Sequence, residues 1–253
     1  MLLNSLNNLK NIKFSEIFVL YFFAYIVLFW LFSFFTNPLV GELAFEVAIF
    51  LIAIYLLKDA KIEIISVIKI KKQNNVIILL KLILILILII SILSIVFKIN
   101  PDLAESKMSV SEYVLSAVEF LNNKSMIYLF FFSTCIMAPI SEEFFFRGLI
   151  LNKLSLSFPK GKAILISSLI FGVLHFNFVQ IISFISGGLL FSYIYLDNGE
   201  IFSPIFLHII LNSYSFINSI TANKLNLILF SIPYTLIACF ILAGIIIYFL
   251  IQK

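Results

Sequence analysis

Two adjacent acids and an arginine interrupt an apolar run at residues 138–150, APISEEFFFRGLI. The stretch ahead of them, MIYLFFFSTCIM, carries no charge. A charged side chain midway along a membrane helix costs roughly 2.5–3.5 kcal/mol on insertion scales, so three together need a reason. If the segment is helical, Glu143 and Arg147 stand at i,i+4 and pair, which accounts for two of the three charges. The simplest role for that pair is a structural staple. Glu142 lies about 100° further round the helix and meets Phe146, not a cation, at i+4. A carboxyl group left in such a setting is suited to taking up and releasing protons.

The chain has two histidines, and both sit in apolar segments: His175 in LIFGVLHFNF and His208 in SPIFLHIILNSYSFIN. Asn212 follows His208 at i+4 and shares its helix face. Singly, a membrane histidine or asparagine reads as a helix–helix hydrogen bond. Jointly, Glu142, His175, His208 and Asn212 come from three separate segments and can build one polar pocket. Pro139, just before the glutamates, weakens the helix there. Gly148 permits the close approach of a neighbouring helix.

The elements that must position these groups are helices. Of the 253 residues 62% are hydrophobic and 12% charged, with mean hydropathy +1.16. A soluble domain is about 45–50% apolar and about 25% charged, so this chain lacks the polar surface to cover a water-soluble globule. Runs such as LILILILIISILSIVF do not alternate as a membrane β-strand would. The expected fold is all-α, a polytopic transmembrane bundle of about eight helices, near 14–36, 39–57, 76–98, 126–151, 162–178, 180–197, 202–221 and 226–250. The first run is longer than a signal-peptide core and lacks an A-x-A-like site, so it is expected to stay as an anchor. The more polar segment 102–122 is expected to lie along the membrane or to cap the bundle on the outer side.

The net charge of +4 does not point to nucleic acid, because the lysines cluster between apolar runs. Lys58, Lys61, Lys69, Lys71 and Lys72 fall in one such loop, and Lys153, Lys160 and Lys162 in another. The positive-inside rule then puts both termini in the cytoplasm. The Ile, Asn, Lys and Phe content points to a prokaryotic source, for which the membrane would be the cell membrane. Cys135 and Cys239 lie inside apolar segments and read as small hydrophobes rather than as a disulfide or zinc ligands.

The ordered motifs E-E-x-x-x-R (142–147), F-x-x-x-H (171–175) and H-x-x-x-N (208–212) resemble the CAAX protease and bacteriocin-processing family, also called Abi, to which the type II CAAX prenyl protease belongs. The resemblance covers about residues 126–220. It divides one integrated membrane domain into N-terminal helices with the outer segment (1–125), the catalytic helical core (126–220) and a C-terminal helix (221–253). It implies an intramembrane endopeptidase in which Glu142 is the catalytic glutamate, His175 assists, His208 and Asn212 complete the site, and Glu143 and Arg147 support it. Peptide hydrolysis needs an activated water and donors for the oxyanion. Glu142 and His175 suit the first task, His208 and Asn212 the second. A version with zinc or another divalent metal would take His175 and His208 as ligands. Asn is a poor zinc ligand and no H-E-x-x-H occurs, so the metal stays open.

The expected partners are the bilayer and a peptide or lipidated protein, either a prenylated CAAX-type protein or a bacteriocin-like precursor. Two other readings compete: a non-enzymatic bacteriocin-immunity or scaffold protein, and a proton-coupled transporter, for which inverted repeats are missing. One tension runs through the pocket. His175 comes late in its segment and His208 early in its own, so straight spans would not bring both to the depth of Glu142. Breaks at Pro139 and Pro204 would reconcile them.

Overall fold

The computed structural model describes residues 7–31, 34, 38–62, 64–68, 124–175 and 181–220. The regular structure of these residues is helical. After a 3₁₀ turn at Asn7–Asn11 come α1 (Phe14–Trp30), α2 (Pro38–Asp59) and the short α3 (Ile64–Ile68). Then follow α4 (Ile127–Ser155), α5 (Lys160–Leu174), α6 (Ile181–Asn198) and α7 (Phe202–Ile220). The chain divides into two compact units, Met1–Lys72 with Leu129–Ile209, and Gln73–Tyr128 with Ile210–Lys253. The helix packing around α4 lies within the first unit. In the second, the described residues are 124–128, which lead into α4, and 210–220, the last turns of α7.

Among the described residues, two helices are long and apolar enough to cross a membrane, Leu39–Asp59 and Ile127–Ser155; Phe14–Trp30 and Phe202–Ile217 are shorter apolar helices. The expected spans at 76–98 and 226–250 and the surface segment 102–122 lie outside the described residues, as does Cys239. The count of eight therefore rests on the sequence alone.

Helix α4 is the centre of the first unit. From Glu143 to Leu151 every residue is buried, so this stretch has no outward face. Such a helix must be enclosed by others, and the three consecutive phenylalanines show by which. Phe144 meets Phe50 of α2 edge-on at 5.2 Å. Phe145 lies 5.3 Å from Tyr21 of α1. Phe146 meets Phe171 of α5 edge-on at 4.9 Å.

Pro139 does not break α4. Two wide π-helical stretches, Phe132–Met137 and Phe144–Leu151, flank the α-helical turn Ala138–Glu143 that holds it. A π turn loosens the backbone ladder locally and is often found at functional sites. Pro204 also falls where a helix can take it, in the first turn of α7, and Glu200 caps that turn by accepting from the backbone N–H of Phe202 and Ser203 and from the Ser203 hydroxyl. Helix α4 continues to Ser155, so Lys153 is not a loop charge. It is buried, and its Nζ donates to the Leu9 carbonyl at 2.7 Å, tying down the N-terminal 3₁₀ turn.

Helix α5 has 15 residues, about 22 Å at 1.5 Å per residue, against a hydrocarbon core of about 30 Å. It ends at Leu174, with His175 as its C-cap. The tight approach expected at Gly148 occurs elsewhere. A Cβ at Gly148 would meet only ordinary contacts, with Val67 at 3.4 Å nearest. A Cβ at Gly188 would lie 3.0 Å from Ser168 Cα, and one at Gly172 would run into Ile185 Cγ1 and lie 3.2 Å from the Ile185 backbone nitrogen. The register, 172 beside 185 and 168 beside 188, makes α5 and α6 an antiparallel pair at backbone contact. Gly172→Ala is expected to destabilise the protein by about 1–3 kcal/mol, read as reduced resistance to unfolding in detergent. Gly161→Ala, where an added Cβ meets nothing within 4 Å, is expected to hold stability or raise it by up to about 1 kcal/mol.

Candidate active site

The residues singled out for chemistry converge within the first unit. Glu143 and Arg147, one turn apart on α4, form an ion pair with Arg147 Nη1 donating to Glu143 Oε1 at 3.0 Å; both side chains are fully buried. The same oxygen accepts a second hydrogen bond, from His208 Nδ1 of α7 at 2.9 Å. The other arm of the guanidinium, Nη2, donates to the Gly188 carbonyl of α6 at 3.2 Å. Its Cζ lies 4.6 Å from the Phe171 ring centroid and 5.2 Å from that of Phe191, distances at which a cation is drawn to the ring.

These bonds fix the state of the two imidazoles. A carboxylate or carbonyl oxygen can only accept, so the ring nitrogen facing it carries the hydrogen. His208 Nδ1–H donates to Glu143. His175 Nδ1–H donates to the Phe171 carbonyl at 2.7 Å, one turn back on α5. Both rings therefore turn Nε2 toward the same place, and Glu142 is there: His175 Nε2 lies 3.8 Å from Glu142 Oε1 and His208 Nε2 3.8 Å from Glu142 Oε2. That is beyond direct hydrogen-bond reach and suits a bridging water. Three groups with facing lone pairs must share a proton or such a water. Among the described residues, Glu142 Oε2 is a buried atom with no hydrogen-bond partner. The cluster opens on one side: the His175 side chain is 22% exposed, Glu142 14% and His208 8%.

Glu142, Glu143, Arg147, His175 and His208 thus come together from α4, α5 and α7, as their residue types suggested. Glu142 does not stand alone as its i+4 neighbour implied, for two histidines face it. Glu143 does more than staple Arg147, because it also orients His208. Asn212 lies one turn beyond His208 on α7 and is half-buried. It falls in the second unit, whereas the other five residues belong to the first.

Sequence reasoning passes over Glu46. It is buried on α2 and accepts a hydrogen bond from the hydroxyl of Ser141, the residue before Glu142. Ser141 also lies 2.9 Å from the Ala138 carbonyl. An ionisable residue in the apolar run GELAFEVAIF was the available signal.

Two imidazoles and a carboxylate are donors of the kind zinc takes. Among the described residues, however, no three His, Cys, Asp or Glu side chains are disposed to hold a metal ion. The donor types fit a metal and their disposition does not.

Residues 124–214 match the family model described as "Type II CAAX prenyl endopeptidase Rce1-like". The match contains all three motifs and leaves out Glu46. The chain is also 34% identical over 79 residues to the Bacillus subtilis (strain 168) protein named "Putative membrane peptidase YdiL". That alignment covers 31% of this chain and 32% of the relative, so the chain spans about a third of the length of the curated relative it matches. No solved structure matches. The motif-bearing segment thus resembles the CAAX protease family, and the apolar helices mark a membrane protein.

Removing one partner of a buried ion pair leaves an uncompensated charge and costs about 3–5 kcal/mol. Arg147→Leu is accordingly expected to destabilise the protein by about that much, measured by unfolding in detergent. Glu143→Gln, which keeps an acceptor for both donors, is expected to cost less.

Proposed function

We propose that this protein is an intramembrane endopeptidase that hydrolyses a peptide bond in a membrane-anchored substrate near the cytoplasmic surface, with a C-terminally lipidated CAAX-type peptide as the substrate class. The observation that carries the reading is the Glu142 carboxyl flanked by two imidazole Nε2 atoms at 3.8 Å each. The family match over residues 124–214 supports the reaction class and, through its printed description, the substrate class. The charge asymmetry of the loops supports a multi-pass topology of about eight helices with both termini in the cytoplasm.

In this mechanism Glu142 takes a proton from a water held between it and His175 Nε2. The water oxygen adds to the scissile carbonyl carbon, and the carbonyl oxygen becomes an oxyanion. The proton shared within the cluster sits on His208 Nε2 in this step, and Nε2–H donates to the oxyanion while Glu143 keeps hold of Nδ1–H. Collapse breaks the C–N bond, and the proton taken by Glu142 passes to the leaving amine. Every atom and proton is accounted for by water and these side chains, and no step runs through a metal.

The test is cleavage of a quenched farnesylated CAAX-type peptide by the purified full chain in detergent, with Glu142→Gln and His175→Ala beside the wild type. Positioned general bases contribute about 10²–10⁴ in rate, and each variant is expected to lose at least about 10². Cleavage by Glu142→Gln at the wild-type rate would sink the mechanism. Cleavage that persists in a strong chelator is expected. Activity lost to the chelator and restored by a divalent metal would instead make His175 and His208 ligands.

A further inference from the structure

Helix α6 carries none of the three motifs, yet it touches His175, His208 and Arg147. Phe184 stacks face to face on the His175 imidazole, with centroids 4.0 Å apart and planes at 20°. Phe191 stacks on the His208 imidazole at 4.6 Å and 24°. Between them the Gly188 carbonyl accepts from Arg147 Nη2. Residues 184, 188 and 191 stand at i, i+4 and i+7, one face of a helix.

The stacks differ in kind from the other aromatic contacts of the imidazoles. Phe171 meets His175 at 61° and His208 at 72°, edge-on in both cases. Each imidazole is therefore fixed twice. Its Nδ1 hydrogen bond decides which edge faces Glu142, and its stacked phenylalanine decides the plane of the ring. A hydrogen bond alone leaves the ring free to swing about it; the stack removes that freedom. Because both phenylalanines project from one helix, their separation sets the separation of the two rings. Backbone contact of α6 with α5 at Gly188 and Gly172 keeps this platform from shifting.

We infer that α6 is the positioning template of the site, with Phe184 and Phe191 as positioning residues that hold the two Nε2 atoms at equal reach of Glu142. The inference rests on the proteolytic reading for its kinetic consequence but not for its geometry. Catalytic geometry is steep in distance, with about a hundredfold lost for a displacement of about 1 Å. Replacing either ring by a flexible aliphatic chain should cost less than that, because the Nδ1 hydrogen bonds remain.

The experiment compares Phe184→Leu, Phe184→Tyr and Phe191→Leu with the wild-type full chain in detergent. With cleavage as readout, both leucine variants are expected to lose about tenfold in kcat with KM within about twofold, and Phe184→Tyr to keep most of its kcat. Leucine variants with wild-type kcat would overturn the inference, as would a tyrosine variant that falls as far as the leucine one. Phe184 is only half-buried, so its variants carry the test if Phe191→Leu does not fold. A second readout is independent of activity. The chain has two histidines, so selective isotope labelling gives two imidazole signals, which ring currents from stacked phenylalanines shift upfield. Phe184→Leu is expected to relieve the shift of His175 alone and Phe191→Leu that of His208 alone. If the wild type cleaves nothing, the proteolytic reading fails; unchanged imidazole signals in both variants would then overturn the template as well.

Discussion

One buried carboxylate oxygen, Glu143 Oε1, holds the arrangement together. It accepts from Arg147 on its own helix and from His208 on α7. Charge-assisted hydrogen bonds of this kind are shorter and stronger than neutral ones, and away from water each lost partner would expose an unpaired charge. Through His208 the oxygen sets the ring that faces Glu142. Through Arg147 it reaches α6, where the guanidinium meets a carbonyl and a phenylalanine. The adjacent glutamates have thus divided their work: one ties Arg147 and His208 together through a single oxygen, and the other is left with an open edge.

The surrounding helices follow from that commitment. An arginine and a carboxylate can lie at the centre only if apolar side chains exclude water on every side. Phe144, Phe145 and Phe146 direct that exclusion toward α2, α1 and α5 in turn. The π-helical turns on either side of the glutamates let α4 carry a proline and still present Glu142 and Glu143 to different partners. Stability and reactivity are therefore separated by about 100° of rotation on a single helix.

The pair Glu143–Arg147 was legible because i,i+4 spacing is local arithmetic. Glu142, His175 and His208 were legible as chemistry, since ionisable groups are conspicuous against so apolar a background. Their mutual geometry was not. His208 and Glu143 are 65 residues apart, and nothing local says that one turns its Nδ1 to the other. The two prolines loosen or start their helices rather than break them, because the cost of a proline depends on where a helix starts and on how wide its turns are. Glu46 was passed over because no motif surrounds it. Phe184 and Phe191 were invisible for the opposite reason: among 30 phenylalanines, two that stack on imidazoles look like all the others. The membrane character of the chain was legible from composition, whereas the number of crossings depends on segments that periodicity alone does not resolve.

The intrahelical position of Arg147 bears on how such a protein is made. A helix that enters a membrane during synthesis carries its charges before later helices exist. The Glu143 charge travels with its counter-ion one turn away, so α4 does not have to wait for a partner to be neutralised there. Glu142 has no such companion, because both groups that face it belong to chain synthesised afterwards. Until residue 208 has been made and packed, the nascent protein contains the staple but not the Glu142–His175–His208 cluster. The order of the motifs along the chain therefore lets the scaffold assemble first and delays the chemistry to the last helix of the described core.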